Sequence, residues 1–554
     1  MALPLPIKSD LLKPLSVLGS VQQGARAYYT DLRRSSDPHL VVAAWCTLLD
    51  GRLLSTTDWP QLLTQCGHGA VRSRAFGYFQ ELKEHGLALQ VAQTPLTQSG
   101  DLQQRLMVAE AHDDAAEIAE LHGALYRETG DLKHLLSASE QAERAGGWRP
   151  SLHWALRFLA AAPLNPSPVQ RLYVVLENSG QPQLLQEVAE ILLARNLHLQ
   201  MSQVFLANAA QLRGEPERCL ERLRGLSDAK LLADPALHNY LGPVRALRAA
   251  AYEKLGQYRE AYEAYRLLQE GERDKTITPD DFVRGIRIRA KLNVPPLPPD
   301  DFPVVTQMLG FPRSGTTLLE NVLAAHPSIE TFEEIPDLNV AIDRIERVLL
   351  GKVPPEPPEA TFAAARARYF EELAFHRRKP EATVLVDKMP IRSADAALIS
   401  RLFPEWRYIF SIRHPYDVVL SCFKQRFSPN PAMENFRSIE SSIRLYDIVM
   451  SEWFAHHTLD DANVCYVRYD ELVTDFEPVT RRVLDFLGVE WSESVRDFSA
   501  AASNRAAKTP SYQKVRQGLS IGVQTQWRNY GFLFQSDAAK PLRKWADFFG
   551  YPVE

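Results

Sequence analysis

Cysteine is scarce in this chain of 554 residues: only Cys46, Cys66, Cys219, Cys422 and Cys465 are present. They are scattered, odd in number and form no C-x-x-C pair. That argues against a disulfide framework or a zinc site and for a reducing compartment. Long apolar runs are missing too. Leu40–Leu49 is among the longest and still contains a threonine, whereas a spanning helix needs roughly 18 apolar residues. The opening stretch, MALPLPIKSDLLKPL, carries Pro4, Pro6 and Pro14 and no apolar core, so it reads as a poor signal peptide. The expectation is a cytoplasmic protein without a membrane span. Positive charge is not in excess either. Lys and Arg total 63 against 68 Asp and Glu, a net charge of -5, which argues against a dedicated nucleic-acid binder.

What is present is ordinary globular material, 45% hydrophobic and 24% charged. The length allows three or four domains of about 150 residues each. The clearest punctuation is Asn293–Pro303, NVPPLPPDDFP, whose five prolines cannot continue a helix and favour an extended linker. Before it the chain is rich in the helix formers Ala, Leu, Gln, Glu and Arg. After it, short β-rich runs alternate with helical patterns: Val304–Leu309, Thr383–Val386, Tyr408–Ile412 and Val464–Val467. Such alternation predicts an α/β domain with a central parallel sheet.

The helical half carries a faint repeat. Gly146, Gly180 and Gly214 are spaced by 34 residues, each where one helical pattern stops and another starts. The best-formed unit is Leu247–Tyr265, in which Ala249, Tyr252, Gly256, Tyr258, Ala261 and Tyr265 fall where two helices interlock; Leu121–Gly146 is a weaker copy. The pattern resembles a tetratricopeptide repeat, an architecture that offers a concave surface to a partner. The expected division is therefore a helical region 1–110 without an assigned repeat, a helical repeat array 111–292, a linker 293–303 and an α/β domain 304–554.

Chemistry concentrates after the linker. Gly310-Phe-Pro-Arg-Ser-Gly-Thr-Thr317 follows an apolar strand and opens a helix. A glycine-bearing loop at a helix N-terminus collects backbone N–H groups and partial positive charge, and so binds anions. Gly310 and Gly315 have P-loop spacing, but Thr316 occupies the place of the lysine that grips a β/γ-phosphate pair. Arg313 lies inside the loop instead. That composition suits a smaller anion, such as a 5′-phosphosulfate. A second element, Ile409–Phe423, places Arg413 at a strand end and Ser421 in the helix that Pro415 opens. An Arg and a hydroxyl converging there form a second phosphate site.

Together the two segments resemble the nucleotide-dependent sulfotransferases, in the right order and on the right strand–helix junctions. With a repeat-bearing N-terminal half, the chain resembles the tetratricopeptide-repeat sulfotransferases, whose catalytic domain is similar to the tyrosylprotein sulfotransferases. The resemblance covers about residues 303–550. It implies a P-loop-like α/β fold and 3′-phosphoadenosine 5′-phosphosulfate (PAPS) as donor, adenosine 3′,5′-bisphosphate (PAP) as product, and no metal. By the same resemblance Arg313, Ser314, Gly315, Thr316 and Thr317 hold the 5′-phosphosulfate, and Arg413 with Ser421 the 3′-phosphate. Glu334, the second residue of a Glu-Glu pair, is the catalytic base, and Lys388 after the strand Thr383–Val386 stabilises the leaving oxygen. Tyr469 meets the nucleotide, Ser511 acts in the transition state, and Val515, Arg516, Gln517 and Gly518 clamp the donor. Two positions depart from the family pattern: Gln526 replaces the basic residue usual before Trp527. Gln425 stands twelve residues after Arg413, where a basic residue is expected, and Arg426 is one further on.

The acceptor implied is a free hydroxyl, with a tyrosine of a protein or peptide held by the repeats as the candidate. Two other readings stay open. Asp387, after an apolar run, resembles a Walker-B strand end and would suit a divergent nucleotide kinase or ATPase. A catalytically inactive repeat scaffold is the third.

Overall fold

The computed structural model describes residues 38–50, 56–94, 101–271, 276–290, 296–334, 358–498 and 525–553, with isolated positions 26, 29, 30, 32–35, 54, 338 and 345. The chain divides into two compact units at Ala161/Ala162.

The first unit is helical throughout its described residues. Trp45, Leu62, Phe79 and Val91 are buried in one core. Arg72 is buried beside them because it closes a neighbouring helix: its guanidinium donates to the carbonyls of Val91 (3.1 Å) and Ala92 at the C-terminal end of His85–Gln93, where Val91 also accepts from the Thr94 N–H at 3.2 Å. Further on, the helices Ala115–Thr129 and Lys133–Gly146 form a hairpin. The Asp114 carboxylate caps the first by accepting from the Glu117 N–H at 3.0 Å, and Gly130, at φ 69°, ends it. The turn brings Nδ1 of His122 within 3.0 Å of Nδ1 of His134. One proton can lie between those nitrogens, not two.

In the second unit Gly180 (φ 64°) and Gly214 (φ 81°) take the left-handed conformation that closes the helices Pro166–Ser179 and Leu199–Arg213. The helices Leu241–Lys254 and Tyr258–Gln269 follow, with Ala249, Ala261 and Tyr265 buried where the sequence places its interlocking residues. The α/β part has five parallel strands: β1 Val305–Gly310, β2 Ile329–Glu333, β3 Val384–Lys388, β4 Arg407–Ile412 and β5 Val464–Arg468, in the order β2-β3-β1-β4-β5. All six residues of β1 are buried, as in a sheet covered on both faces. One covering core includes Leu309, Phe410 and Trp453; the other includes Met308, Leu319 and Val467. The sheet order sends the chain away from the C-terminal ends of β1 and β4 in opposite directions. Such a divergence leaves a crevice at the strand ends.

Four strands agree with the sequence reading to within two residues at either end. β2 was not expected: Ile329-Glu-Thr-Phe-Glu333 neither alternates strictly nor forms an apolar run, and among the described residues it pairs only with β3.

The proline run is also not where the packing divides. Ala249, Tyr265 and Ile286, before it, share one core with Leu309 and Trp453, after it. Buried Arg289 is paired with Asp395 at 2.6 Å, and Gln269 donates to the carbonyls of Phe423 (2.6 Å) and Gln425 (2.8 Å). Residues 296–303 form neither helix nor strand, and Leu297 among them is buried, its N–H donating to the Arg401 carbonyl at 2.8 Å.

Two predictions follow from this packing. A fragment starting at Ala162 melts cooperatively. One starting at Asn293 removes Arg289 from Asp395 and uncovers the core, and it melts at least about 10 °C lower or does not fold, given ~3–5 kcal/mol for one broken buried pair; thermal melts of both decide. Second, burial, and then the charge of His134, pulls His122 from 6.5 down to about 4. Burial first, then Lys133, also lowers His134. Above pH 6.5 neither state binds the proton. Between 6.5 and about 4 the unfolded chain takes up a proton that the folded hairpin refuses. Amide protection factors in 115–146, corrected for the intrinsic pH dependence of exchange, therefore fall over that window, and His122→Gln removes the acid sensitivity.

Candidate active site

The C-terminal ends of β1, β2, β3 and β4 supply the site. Gly310 ends β1 at φ 149°, and a Cβ there would lie 2.7 Å from the Ser411 carbonyl oxygen, so no larger residue fits. The loop then turns through Arg313, a non-glycine residue at φ 72°. Gly315, at φ 107°, caps the helix Thr316–Ala324, and a Cβ there would lie 2.5 Å from the Tyr469 ring. Tyr469 is thus pressed against the loop. The first N–H groups of that helix have no partner in its own ladder and face the crevice end of the sheet. Ser314 is buried, and its hydroxyl finds no hydrogen-bond partner among the described residues.

Two arginines meet here. Arg313 Nε donates to Ser421 Oγ at 3.1 Å, and Arg413 Nη1 donates to the Arg313 carbonyl at 3.3 Å. Arg413 also lies over the Tyr469 ring, 4.9 Å from its centroid. Part of the Arg313 surface is exposed, yet its guanidinium is packed deep. Burial pulls it down to about 10; Cys422 opposes that and the Arg413 charge adds to it. It remains charged at neutral pH, so two cations are held side by side where an anion would relieve both. Arg313, Arg413 and Ser421 thus meet in one place, with Ser421 accepting from Arg313.

The opposite wall is built on the register of β2 and β3, which sets Glu333 beside Lys388. Lys388 has no exposed side-chain surface; its Nζ donates to Glu334 Oε1 at 2.8 Å and to Glu333 Oε1 at 3.3 Å. Burial by itself would lower the lysine. Glu333, then Glu334 and Glu320, outweigh it and hold the ammonium above its ordinary range. Glu334 is the exposed member of the pair, with 40% of its side chain accessible against 8% for Glu333. It sits at φ 49° immediately after β2, with its N–H donating to the Lys388 carbonyl at 2.8 Å. Left-handed backbone at non-glycine residues costs about 1–3 kcal/mol and gathers at functional sites. Arg313 and Glu334 are two such positions facing one hollow: a cavity of about 420 Å³ lined by Arg313, Thr316, Thr317, Glu334, Met389 and Arg426, among others.

Ser511, Val515, Arg516, Gln517 and Gly518 lie outside the described residues. Of the departures noted in the sequence, Gln526 Oε1 accepts from Lys424 at 3.4 Å. Three functional positions escape a reading of motifs. Glu333 is the buried counter-ion of Lys388. Glu320 is buried on the helix Thr316–Ala324 and accepts from Thr331 Oγ1 at 2.7 Å. It was visible only as a lone charge among Leu318, Leu319, Val322 and Leu323. Asp417 accepts the N–H groups of Thr525 (2.9 Å) and Trp527 (3.0 Å), fixing the start of the C-terminal segment.

Asp387 does not face the cavity chemistry. Its Oδ2 takes the Arg392 guanidinium, the Tyr369 hydroxyl (3.0 Å) and the Gln307 carboxamide (3.2 Å), all buried. This is a structural network beneath the sheet, and it removes the main support for a Walker-B role. Asp387→Ala therefore removes the carboxylate paired with Arg392 and costs stability of about 3–5 kcal/mol. Denaturant unfolding measures that loss, and ligand affinity of the remaining folded protein stays at the wild-type value.

Among the described residues, no helix is long and apolar enough to cross a membrane. Comparison with known proteins gives a consistent assignment for part of the chain. Residues 306–493 match the sulfotransferase family. An uncharacterized protein of Aquifex aeolicus is 29% identical over 236 residues, 40% of this chain and 30% of that protein. Protein-tyrosine sulfotransferase 1 of Danio rerio is 24% identical over 217 residues, 38% of this chain and 60% of that protein. The chain thus spans about a third to three-fifths of the length of these relatives. The sulfotransferase domain of the Synechococcus PCC 7002 olefin synthase is 20% identical, aligned over 47% of this chain and all of that one, with a TM-score of 0.35. Over residues 306–493 the chain is thus similar to the sulfotransferase family.

Proposed function

We propose that the protein transfers a sulfuryl group from PAPS to an acceptor hydroxyl. The observation that carries this reading is the single cavity shared by Arg313, Thr316, Thr317 and Glu334, with Lys388 bonded to Glu334 at its wall. The residues present suit the donor. Loop amides, the Thr316 and Thr317 hydroxyls and Arg313 are anion-binding groups for a phosphosulfate. Arg413 and Ser421 stand close by for a second phosphate. In the reaction the acceptor oxygen attacks sulfur, and its proton passes to Glu334. The bond between sulfur and the bridging phosphate oxygen breaks, and its electron pair leaves with PAP. Lys388 and Arg313 are the cations available to the charge that grows on the departing oxygen. The work is positioning and electrostatics.

A protein or peptide tyrosine is the acceptor favoured by the likeness to a protein-tyrosine sulfotransferase. The helical region, with its resemblance to tetratricopeptide repeats, is the surface proposed to hold such a partner.

Glu334→Gln retains PAP binding and loses transfer by roughly 10²–10⁴-fold, the range of a general base. Sulfated product is read by mass spectrometry after incubation with PAPS and candidate peptides, glycans and hydroxylated metabolites. Near wild-type turnover would remove Glu334 from the mechanism. PAP binds in calorimetry without added magnesium, and ATP competes poorly. Arg413→Ala costs about 1.5–3 kcal/mol of PAP affinity, the worth of a charge-assisted hydrogen bond, and leaves adenosine 5′-phosphosulfate binding unchanged. Tight magnesium-dependent ATP binding would favour the kinase reading instead.

A further inference from the structure

Among the described residues of the α/β part, three that are not glycine take a left-handed backbone: Arg313, Glu334 and Thr525, the last at φ 70°. Arg313 and Glu334 line the site cavity. Thr525 opens the C-terminal segment Gln526–Phe534, and no step of the proposed reaction uses it. Such backbone persists only where its surroundings over-determine it. What holds Thr525 is therefore informative.

Thr525, Gln526 and Trp527 are all held by one helix, Pro415–Phe423, and by the residue that follows it. In the first turn, Asp417 accepts the N–H groups of Thr525 at 2.9 Å and Trp527 at 3.0 Å. At the other end, Lys424 donates to Gln526 Oε1 at 3.4 Å. The same helix carries Ser421, which accepts from Arg313 in the anion loop. The Trp527 ring stacks on His414, 5.3 Å between centroids, and His414 adjoins Arg413 in the chain. The start of the C-terminal segment is thus tied to the supports of both site arginines.

The cation in this arrangement is matched by the helical region. Lys424 keeps only 12% of its side chain accessible and pairs with Glu253, in the last turn of Leu241–Lys254. The other Glu253 oxygen accepts from the Tyr265 hydroxyl at 3.1 Å, on the next helix. The rings of Tyr265 and Tyr530 each lie 5.5 Å from the ammonium. An ammonium at this depth needs that carboxylate, and with it Lys424 has a hydrogen left for Gln526. A lysine or arginine at 526 would instead set a second cation against Lys424, which gives the glutamine there a physical reason.

We propose that Glu253 is a positioning residue for the donor: through Lys424 it holds Gln526, and so keeps Thr525–Trp527 and the helix of Ser421 in the arrangement that the donor's phosphates require. The inference rests on the sulfuryl-transfer reading. It gives the helical region a part in donor binding, separate from any part in holding an acceptor.

Three full-chain variants are compared with wild type by PAP calorimetry, thermal melting and amide exchange without ligand. Glu253→Gln weakens PAP about tenfold, the low end for one charge-assisted hydrogen bond, and amide exchange rises at 525–534. Glu263→Gln, which breaks an exposed pair with Arg266 on the next helix, changes neither. The double variant Glu253→Leu with Lys424→Met removes both charges and regains the wild-type melting temperature, as replacement of a whole buried pair often does. It does not regain PAP affinity, because Gln526 has lost its donor. Recovery of affinity together with stability in the double variant would make the pair merely structural and overturn the proposal. So would wild-type exchange at 525–534 in Glu253→Gln. Should Glu253→Gln not fold, the double variant carries the comparison. If wild type does not bind PAP while exchange at 525–534 still rises in Glu253→Gln, the sulfuryl-transfer reading fails and the link from Glu253 to the C-terminal segment stands.

Discussion

An ammonium with no exposed surface has to be matched by buried carboxylate, and Lys388 organises the catalytic edge of the sheet around that need. An unmatched charge at this depth would cost several kcal/mol or lose its proton. The match is made by register: parallel pairing of β2 with β3 sets Glu333 opposite Lys388, and the next residue, Glu334, turns back in a left-handed conformation to reach the same nitrogen. Glu320 adds its charge from the helix that begins at the anion loop. The loop, the edge strand and the lysine are therefore one electrostatic unit. The division of labour within it follows from exposure. Glu333 and Glu320 are sealed in and serve the lysine; Glu334 is accessible and can meet a substrate.

The other side of the crevice carries the opposite imbalance. Arg313 and Arg413 are held near each other by hydrogen bonds to Ser421 and to backbone, with Tyr469 packed beneath. Two adjacent cations next to the N-terminus of a helix make a field for an anion before any ligand arrives. The cavity between the two arginines' side and the Lys388 side is thus polarised. On the proposed sulfuryl-transfer reading, the donor's negative groups are drawn to one wall and the carboxylate at the other takes the proton. Strain is placed accordingly, at Arg313 and Glu334, one on each wall.

The helical region is part of this arrangement. Its last helices share a core with the sheet, and Glu253 on one of them pairs with Lys424. The proline run that marks a change of composition is crossed by packed side chains and by the Arg289–Asp395 pair. Composition records which local structure a segment prefers; it does not record which segments bury their faces on one another.

Much was determined by sequence alone. Strand–loop–helix punctuation located the anion loop, because Gly310 and Gly315 are demanded by local backbone geometry and close approach. Four strands and the residues at their ends, Arg313, Lys388 and Arg413, were legible because apolar runs bounded by special residues are local signals. β2 was not, since Ile329-Glu-Thr-Phe-Glu333 is a five-residue edge strand with neither strict alternation nor an apolar run. Only the tertiary structure decided what each charge is for. It turned Asp387 toward Gln307, tied Ser421 to Arg313, hid Glu320 and Glu333 beside Lys388, and seated Arg426 on Gly242. Those outcomes depend on sheet order and register, which bring residues tens to hundreds of positions apart within hydrogen-bonding distance. No local pattern encodes that, because a charge's partner is set by through-space energy and not by its neighbours in the chain.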